Sequence, residues 1–312
     1  MLDILIVGEL NVDVFMGGLQ QAPVFGKEII SNSYEELAGS STGNTICTAA
    51  SLGLKTAVFS KLGKDRFGDI MLRALERYGV ETGFIDISEK YRTGVTLSLS
   101  NDRDRAMITY FGDTINAFDA ADIPLEKADA KHLHMPSFYL NPSIQSGLAA
   151  AYEKAHAMGM TTSLDAGWDE SGNWHAYLDD VLKHTDFFFP NESETEAITG
   201  ESDPVKGAIA LAQLGCNVVV KCGGNGSYYC AKGSKDVQHF PGYPTRLVET
   251  TGAGDSFDAG FLYAYLNGQD IAGCMKMGNA VGALSVQRAG GVENCPTLEE
   301  ALKTIELGTA LW

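Results

Sequence analysis

The sequence predicts an α/β fold: a three-layer α/β/α arrangement around a mostly parallel central sheet, with a second, small β-sheet beside it. Three observations lead there. Short β-rich runs alternate with longer helical patterns through most of the 312 residues, as they do when crossover helices cover both faces of a parallel sheet. Glycine stands directly after six of the helical patterns, at Gly53, Gly79, Gly159, Gly200, Gly215 and Gly268, where a left-handed residue closes a helix. Two stretches, 11–36 and 93–112, break the alternation with extended runs.

Taken in order, the main strands fall near 3–9, 56–60, 83–87, 131–135, 161–165, 186–190 and 217–222. The helices fall near 43–52, 67–78, 142–158, 175–183, 192–199, 204–214, 254–267, 270–287 and 297–306. The first run, Met1-Leu2-Asp3-Ile4-Leu5-Ile6-Val7, has no basic segment ahead of it, so it reads as a buried strand and not as a secretory leader. Asp65 is expected to cap the helix after it. Within 11–36, Asn11-Val12-Asp13-Val14-Phe15-Met16 and Lys27-Glu28-Ile29-Ile30-Ser31 read as strands. Within 93–112, the runs 93–100 and 105–110 flank the turn Asn101-Asp102-Arg103-Asp104, a hairpin by alternation and turn chemistry. These four strands are expected to make the small sheet. With no repeat, low-complexity segment or flexible linker, residues 1–312 are expected to form a single domain bearing that sheet.

A hydrophobic content of 45% with 20% charged residues is that of a soluble globular protein, and no apolar stretch approaches the roughly 20 residues that span a bilayer. The net charge of −17, from 40 acidic and 23 basic residues, argues against nucleic-acid and anionic-membrane binding. Any phosphate ligand must then be held by local amides, a metal or a few placed cations. Six cysteines without a Cys-x-x-Cys pair read as reduced core thiols in a cytoplasmic protein. His132 and His134 share one face of a strand without a carboxylate or cysteine at ligand spacing, so they are expected to be structural and not a zinc site.

The chemistry concentrates at Glu249-Thr250-Thr251-Gly252-Ala253-Gly254-Asp255-Ser256-Phe257. Gly252 and Gly254 permit close approach of a ligand to the main chain, and the first amides of the following helix suit an anion. A carboxylate beside an anion site is an odd pairing for binding alone, since it repels phosphate. It suits a base that takes a proton from an attacking hydroxyl while Gly252, Ala253 and Gly254 hold charge on a transferring phosphoryl group. Taken alone, the turn leaves open a plain glycine turn with Asp255 as an ordinary N-terminal residue. Elsewhere, Asp13 follows the first strand, where ligands gather in open α/β sheets. Gly39 and Asn44 stand in a small-residue turn entering a helix. Lys221-Cys222-Gly223-Gly224-Asn225-Gly226 ends a buried strand in a hairpin, and is not a Walker loop. Asn191 and Glu194 stand three apart at a strand-to-helix junction, where acids also simply favour the helix N-terminus.

Thr-Gly-Ala-Gly-Asp followed by Ser-Phe and a helix carrying Ala-Gly resembles the C-terminal signature of the PfkB/ribokinase family of carbohydrate kinases. The resemblance extends over nearly the whole chain. It implies a ribokinase-like fold whose small sheet is a lid, and Asp255 as catalytic base. It further implies Asp13, Gly39 and Asn44 on sugar hydroxyls, and Lys221, Gly223 and Gly226 against ATP, with Asn279 near the adenine. Asn191 and Glu194 match the family's Asn-x-x-Glu, which organises Mg²⁺, often through water. The Ala289-Gly290-Gly291 turn resembles a loop that, with Glu249 and Thr251, holds K⁺; many members carry Asp where this chain has Glu249. Departures include Ala38-Gly39 for the usual Gly-Gly, the Ser40-Ser41-Thr42 insert, and Phe138 and Gly167 in segments that shape the sugar pocket; Trp168 is open to stacking on a ring or to packing alone.

The activity implied is transfer of the γ-phosphoryl of MgATP to a primary hydroxyl of a ribose- or fructose-like monosaccharide. A nucleoside or a 2-keto-3-deoxygluconate-type acid is the alternative acceptor, and a non-catalytic sugar or nucleotide sensor the alternative class. A phosphosugar fits less well, because only Lys27, Arg103 and Arg105 supply positive charge around the small sheet. A dehydrogenase is disfavoured because Gly8-Glu9-Leu10-Asn11, not Gly-x-Gly-x-x-Gly, follows the first strand. The open edges of the small sheet are expected to pair in a homodimer.

Overall fold

The computed structural model describes residues 1–101, 105–288 and 290–310. The strands are β1 (Leu2–Val7), β2 (Asn11–Gly17), β3 (Ser33–Ala38), β4 (Thr56–Gly63), β5 (Ile85–Ser88), β6 (Gly94–Ser100), β7 (Arg105–Tyr110), β8 (Ala130–Met135), β9 (Thr161–Leu164), β10 (Phe187–Phe188), β11 (Asn217–Lys221), β12 (Ser227–Cys230) and β13 (Val237–Phe240). The helices are α1 (Ser41–Ser51), α2 (Arg66–Arg77), α3 (Leu125–Ala128), α4 (Gln145–Ala157), α5 (Leu178–Leu182), α6 (Glu192–Thr199), α7 (Pro204–Ala212), α8 (Ala253–Leu266), α9 (Ile271–Ser285) and α10 (Leu298–Leu307).

Nine strands form the main sheet in the order β13-β12-β11-β10-β9-β8-β1-β4-β5. The pairs from β11 through β1 to β5 are parallel, and β12 and β13 extend one edge antiparallel. The alternation of side chains across each strand splits the core in two. Ile4, Ile6, Val58, Phe187 and Val219 pack on one face with Ile46 of α1, Phe261 of α8 and Val281 of α9. Leu5, Val7, Phe59, Phe188 and Val218 pack on the other with Leu148 of α4, Leu178 of α5 and Leu211 of α7. This is the period of two that a strand imposes, and it explains why both sets in β1 are apolar. Chain order reverses around β1, which lies between β8 and β4. In open α/β sheets the crevice at such a reversal, outside the strands' carboxyl ends, is where ligands bind.

All six helix-following glycines have positive φ, from 72° at Gly79 to 119° at Gly215, as a left-handed closing residue requires. Asp65 caps α2, its carboxylate accepting from the Gly68 amide at 2.9 Å. β12 and β13 were not anticipated as sheet strands; they enter because the hairpin after β11 continues into paired strands.

The small sheet has the order β3-β2-β6-β7, with β2 and β6 parallel and the outer pairs antiparallel. One expectation fails here. Lys27–Ser31 is not a strand; the partner of β2 is Ser33–Ala38. The reason is local. Ser31 Oγ donates to the Gly17 carbonyl at 2.9 Å and Asn32 Nδ2 to that of Gly18 at 3.2 Å, so side chains close the loop and pairing begins only at Ser33 opposite Gly17. The β6–β7 pairing is as expected, while Asp102, Arg103 and Asp104 of its turn lie outside the described residues. No helix among the described residues is long and apolar enough to cross a membrane.

Candidate active site

Gly252 precedes α8 with φ 74°, a conformation that favours glycine, and this bend puts Asp255 in the first turn of the helix. Asp255 is buried, and Asn44 Nδ2, from α1, donates to its Oδ2 at 3.0 Å. The amide of Asn44 is wedged between two glycines. A Cβ on Gly252 would stand 2.9 Å from Asn44 Nδ2, and one on Gly291 2.5 Å from Asn44 Oδ1. The expectation for the three amides narrows, because the Ala253 amide already bonds the Thr250 carbonyl at 3.2 Å. Burial, and then the charge of Asp165, push the Asp255 carboxyl up to about 7, against the opposing pull of the Asn44 hydrogen bond and Lys221.

The carboxyl ends of the strands bring further charges to this place. Lys221 ends β11, and its Nζ reaches Asp165 Oδ2, just past β9, at 2.5 Å and Asp258 Oδ1, on α8, at 3.2 Å. Burial works against the ammonium, yet Asp165, Asp258 and Glu194 hold it charged above the ordinary lysine range. A Cβ on Gly254 would stand 3.2 Å from this Nζ, so the ammonium lies directly under the glycine turn. Glu9, after β1, is buried and accepts from Ser137 Oγ at 2.6 Å and Asn141 Nδ2 at 2.7 Å; burial raises its carboxyl. Glu9, Asp165 and Asp258 were given no role from the sequence. Asp165 opens the pocket segment that holds Gly167, and Asp258 stands three residues after Asp255, on the same side of the helix.

Asn191 and Glu194 form a reciprocal cap of α6. Asn191 Oδ1 accepts from the Glu194 amide at 2.9 Å, and Glu194 Oε2 from the Asn191 amide at 2.8 Å. Their spacing of three is therefore explained by the helix end itself. Asn191 also bridges to Lys221, so the cap sits beside the charged cluster. Burial, then the charge of Asp165, lift the Glu194 carboxyl to about 8. Asn191 and Glu194 offer oxygen donors only, which is the donor chemistry that Mg²⁺ takes when it keeps several of its waters.

At the small sheet, Asp13 and Gly39 meet. A Cβ on Gly39 would fall 2.3 Å from Asp13 Oδ2, so glycine makes room for the carboxylate, which also accepts from Asn11 Nδ2 at 3.2 Å. At the glycine hairpin, nothing lies within 4 Å of where a Cβ on Gly223 would stand, whereas Gly226 (φ 88°) faces the Phe240 carbonyl at 2.0 Å from its missing Cβ. Asn279 accepts from Ser227 Oγ at 3.1 Å and donates to the Phe240 and Pro241 carbonyls at 3.2 and 3.3 Å, tying α9 to the antiparallel edge. Glu249 Oε2 accepts from the Gly290 amide at 3.2 Å, which brings that acid to the expected cation turn; Ala289 of the turn lies outside the described residues. Phe138 is core, and Trp168 is half exposed, edge-on to Trp174 at 5.2 Å between centroids. His132 and His134 are structural: both bond Ser163 Oγ at 2.7 Å, and burial holds His132 neutral, down to about 3.

The model of the pfkB family carbohydrate kinases matches residues 1–298. The chain belongs to that family. It is 34% identical over 250 residues, 78% of this chain and 96% of the other, to an uncharacterized sugar kinase of Archaeoglobus fulgidus. It is 30% identical to the nucleoside kinase of Methanothermobacter thermautotrophicus, over 99% of this chain and 96% of the other. Among solved structures, Arabidopsis thaliana ribokinase complexed with ribose and ATP superposes with a TM-score of 0.86 at 24% identity, covering 98% of this chain and 99% of that one. A putative ribokinase II of E. coli in complex with ATP and Mg²⁺ gives 0.84 at 24% identity, covering 98% and 100%. As a member of the PfkB family, the protein is a sugar or nucleoside kinase, a phosphotransferase with an alcohol group as acceptor.

Proposed function

We propose that this PfkB kinase phosphorylates a primary hydroxyl of a ribose- or fructose-like monosaccharide, with Asp255 as the base. The observation that carries the proposal is the buried Asp255 carboxylate at the start of α8, oriented by Asn44 and lifted to about 7. A base near the working pH combines availability with proton affinity. The acceptor oxygen attacks Pγ of ATP while its proton passes to Asp255; the new O–P bond forms as the bond from Pγ to the ADP oxygen breaks. The Gly252 and Gly254 amides and the N-terminus of α8 stabilise the spreading negative charge.

Asp13 and Gly39 orient the acceptor through vicinal hydroxyls, for which a carboxylate is a double acceptor. Asn44 serves the same end while holding Asp255. Asn191 and Glu194 would hold Mg²⁺ through water, and the ion would supply positive charge against the phosphates. Gly223 and Gly226 let the nucleotide lie against the hairpin. Asn279 stands behind it. The small sheet closes over the acceptor as a lid that excludes water from the phosphoryl group. Glu249, Thr251 and the turn at Gly290 are assigned to K⁺; equal activity in K⁺ and in a bulky organic cation buffer dismisses that assignment.

A second acceptor class, a nucleoside, is favoured by the 30% identical nucleoside kinase matched along almost the whole chain. ADP formation measured across pentoses, hexoses, sugar acids and nucleosides separates the two. A monosaccharide with the highest kcat/KM is the expected result, and a preference of tenfold or more for nucleosides overturns it. We place the protein in the cytoplasm, as reduced, buried cysteines suit.

A further inference from the structure

We infer that Asp258 is a positioning residue for phosphoryl transfer, acting through Lys221, and that Lys221 supports the glycine turn instead of meeting a nucleotide phosphate. This rests on the kinase reading above, and it replaces the phosphate role that the family resemblance implies for Lys221.

Three elements converge on one buried ammonium. Lys221 comes from the end of β11, Asp165 from the residue after β9, and Asp258 from α8, one turn beyond Asp255. Asp165 Oδ2 lies 2.5 Å from Nζ, and the two oxygens of Asp258 lie at 3.2 and 3.3 Å. All three side chains are nearly or fully buried, with Asp258 at 0% exposure. A buried carboxylate is costly unless a partner neutralises it, so Asp258 fixes where the ammonium sits. An ammonium shared by two carboxylates has its charge already answered within the triad, which leaves it little attraction for a phosphate. Its position suits another task. Nζ lies beneath Gly254, where a Cβ would come within 3.2 Å of it. The residue after Gly254 is Asp255 itself. The triad thus pins the first turn of α8 to the sheet, and with it the amides and carboxylate that must meet the transferring group. Displacing such groups by about 1 Å costs on the order of a hundredfold in rate.

The test compares Asp258→Asn and Lys221→Gln with the unaltered full-length protein, measuring kcat and KM for ATP on its best acceptor, with thermal melting to verify folding. Asp258→Asn keeps the shape and an oxygen acceptor for Lys221, so it is the variant expected to fold. The expected result is kcat lowered about tenfold to a hundredfold in Asp258→Asn, with KM for ATP within about twofold, and partial recovery of kcat in Asp258→Glu. In Lys221→Gln, KM for ATP raised tenfold with kcat retained assigns the lysine to the nucleotide and overturns the inference. Unchanged kcat in Asp258→Asn overturns it as well. An unaltered protein that forms no ADP with any acceptor removes the kinase reading and this inference with it, an outcome distinct from active protein with a silent Asp258→Asn.

Discussion

Asp255 owes its chemistry to its surroundings: Asn44 donates to it, Lys221 pulls its pKa down, and burial with Asp165 and Glu9 pushes it up. Asp255→Asn keeps the shape and should lower kcat by at least about a hundredfold, the scale of losing a positioned base; near-normal turnover of that variant would sink the mechanism. Because the base must be ionised, kcat/KM should rise with pH and level off above about 7, as a pH series on the unaltered protein reads directly. The same shift acts on stability with the opposite sense. A carboxyl whose pKa is higher folded than unfolded favours the folded state fully at low pH, and that contribution is lost as pH rises from about 4 through about 7. Melting curves should therefore show Asp255→Asn gaining on the unaltered protein as pH rises across that window. Of this environment, the sequence displayed Asp255 and its glycines. Lys221 was placed in the site by its motif, but its approach to Asp255, like that of Asp165 and Glu9 from strands far away in the chain, is announced by no local pattern.

Element ends carry most of the site, and their logic was partly legible. Six glycines marked helix ends correctly because the left-handed conformation is a local requirement. The Asn191/Glu194 spacing is equally visible in the sequence as acids at a helix start or a metal motif, and the reciprocal cap that accounts for it emerges from the hydrogen bonds. Both roles are separable by experiment. Asn191→Ala should cost about 1 kcal/mol of stability through the lost cap, whereas a rise in the Mg²⁺ concentration needed for half-maximal rate reports the metal role. At the antiparallel edge, Gly226→Ala places a Cβ against the Phe240 carbonyl at a positive φ. The clash is with backbone, so a loss of more than about 2 kcal/mol is expected in denaturant unfolding. The misplaced strand at 27–31 shows the limit of such reading: β propensity was there, but Ser31 and Asn32 closed the loop by side-chain bonds that only the paired chain defines.

At the scale of the molecule, the two sheets divide the work we assign: the large one presents charges at its carboxyl ends, and the small one carries Asp13. The outer strand β7 of the small sheet leaves Met107, Ile108 and Tyr110 exposed, Ile108 at 63%. An open edge with apolar side chains invites pairing, and we propose a second copy as its occupant. Sedimentation should give a dimer that Ile108→Glu converts to monomer; a monomeric unaltered protein rejects the proposal. The layers, the strand and helix succession, and the PfkB signature are legible in the primary structure, because periodicity, glycine closure and a contiguous turn are encoded within a few residues. It takes the folded chain to show that Lys221 is answered by Asp165 and Asp258, that Gly39 makes room for Asp13, and that Asn44 holds Asp255. Those are through-space contacts between the ends of separate strands and helices, and the energy of a buried charge depends on what the fold sets beside it.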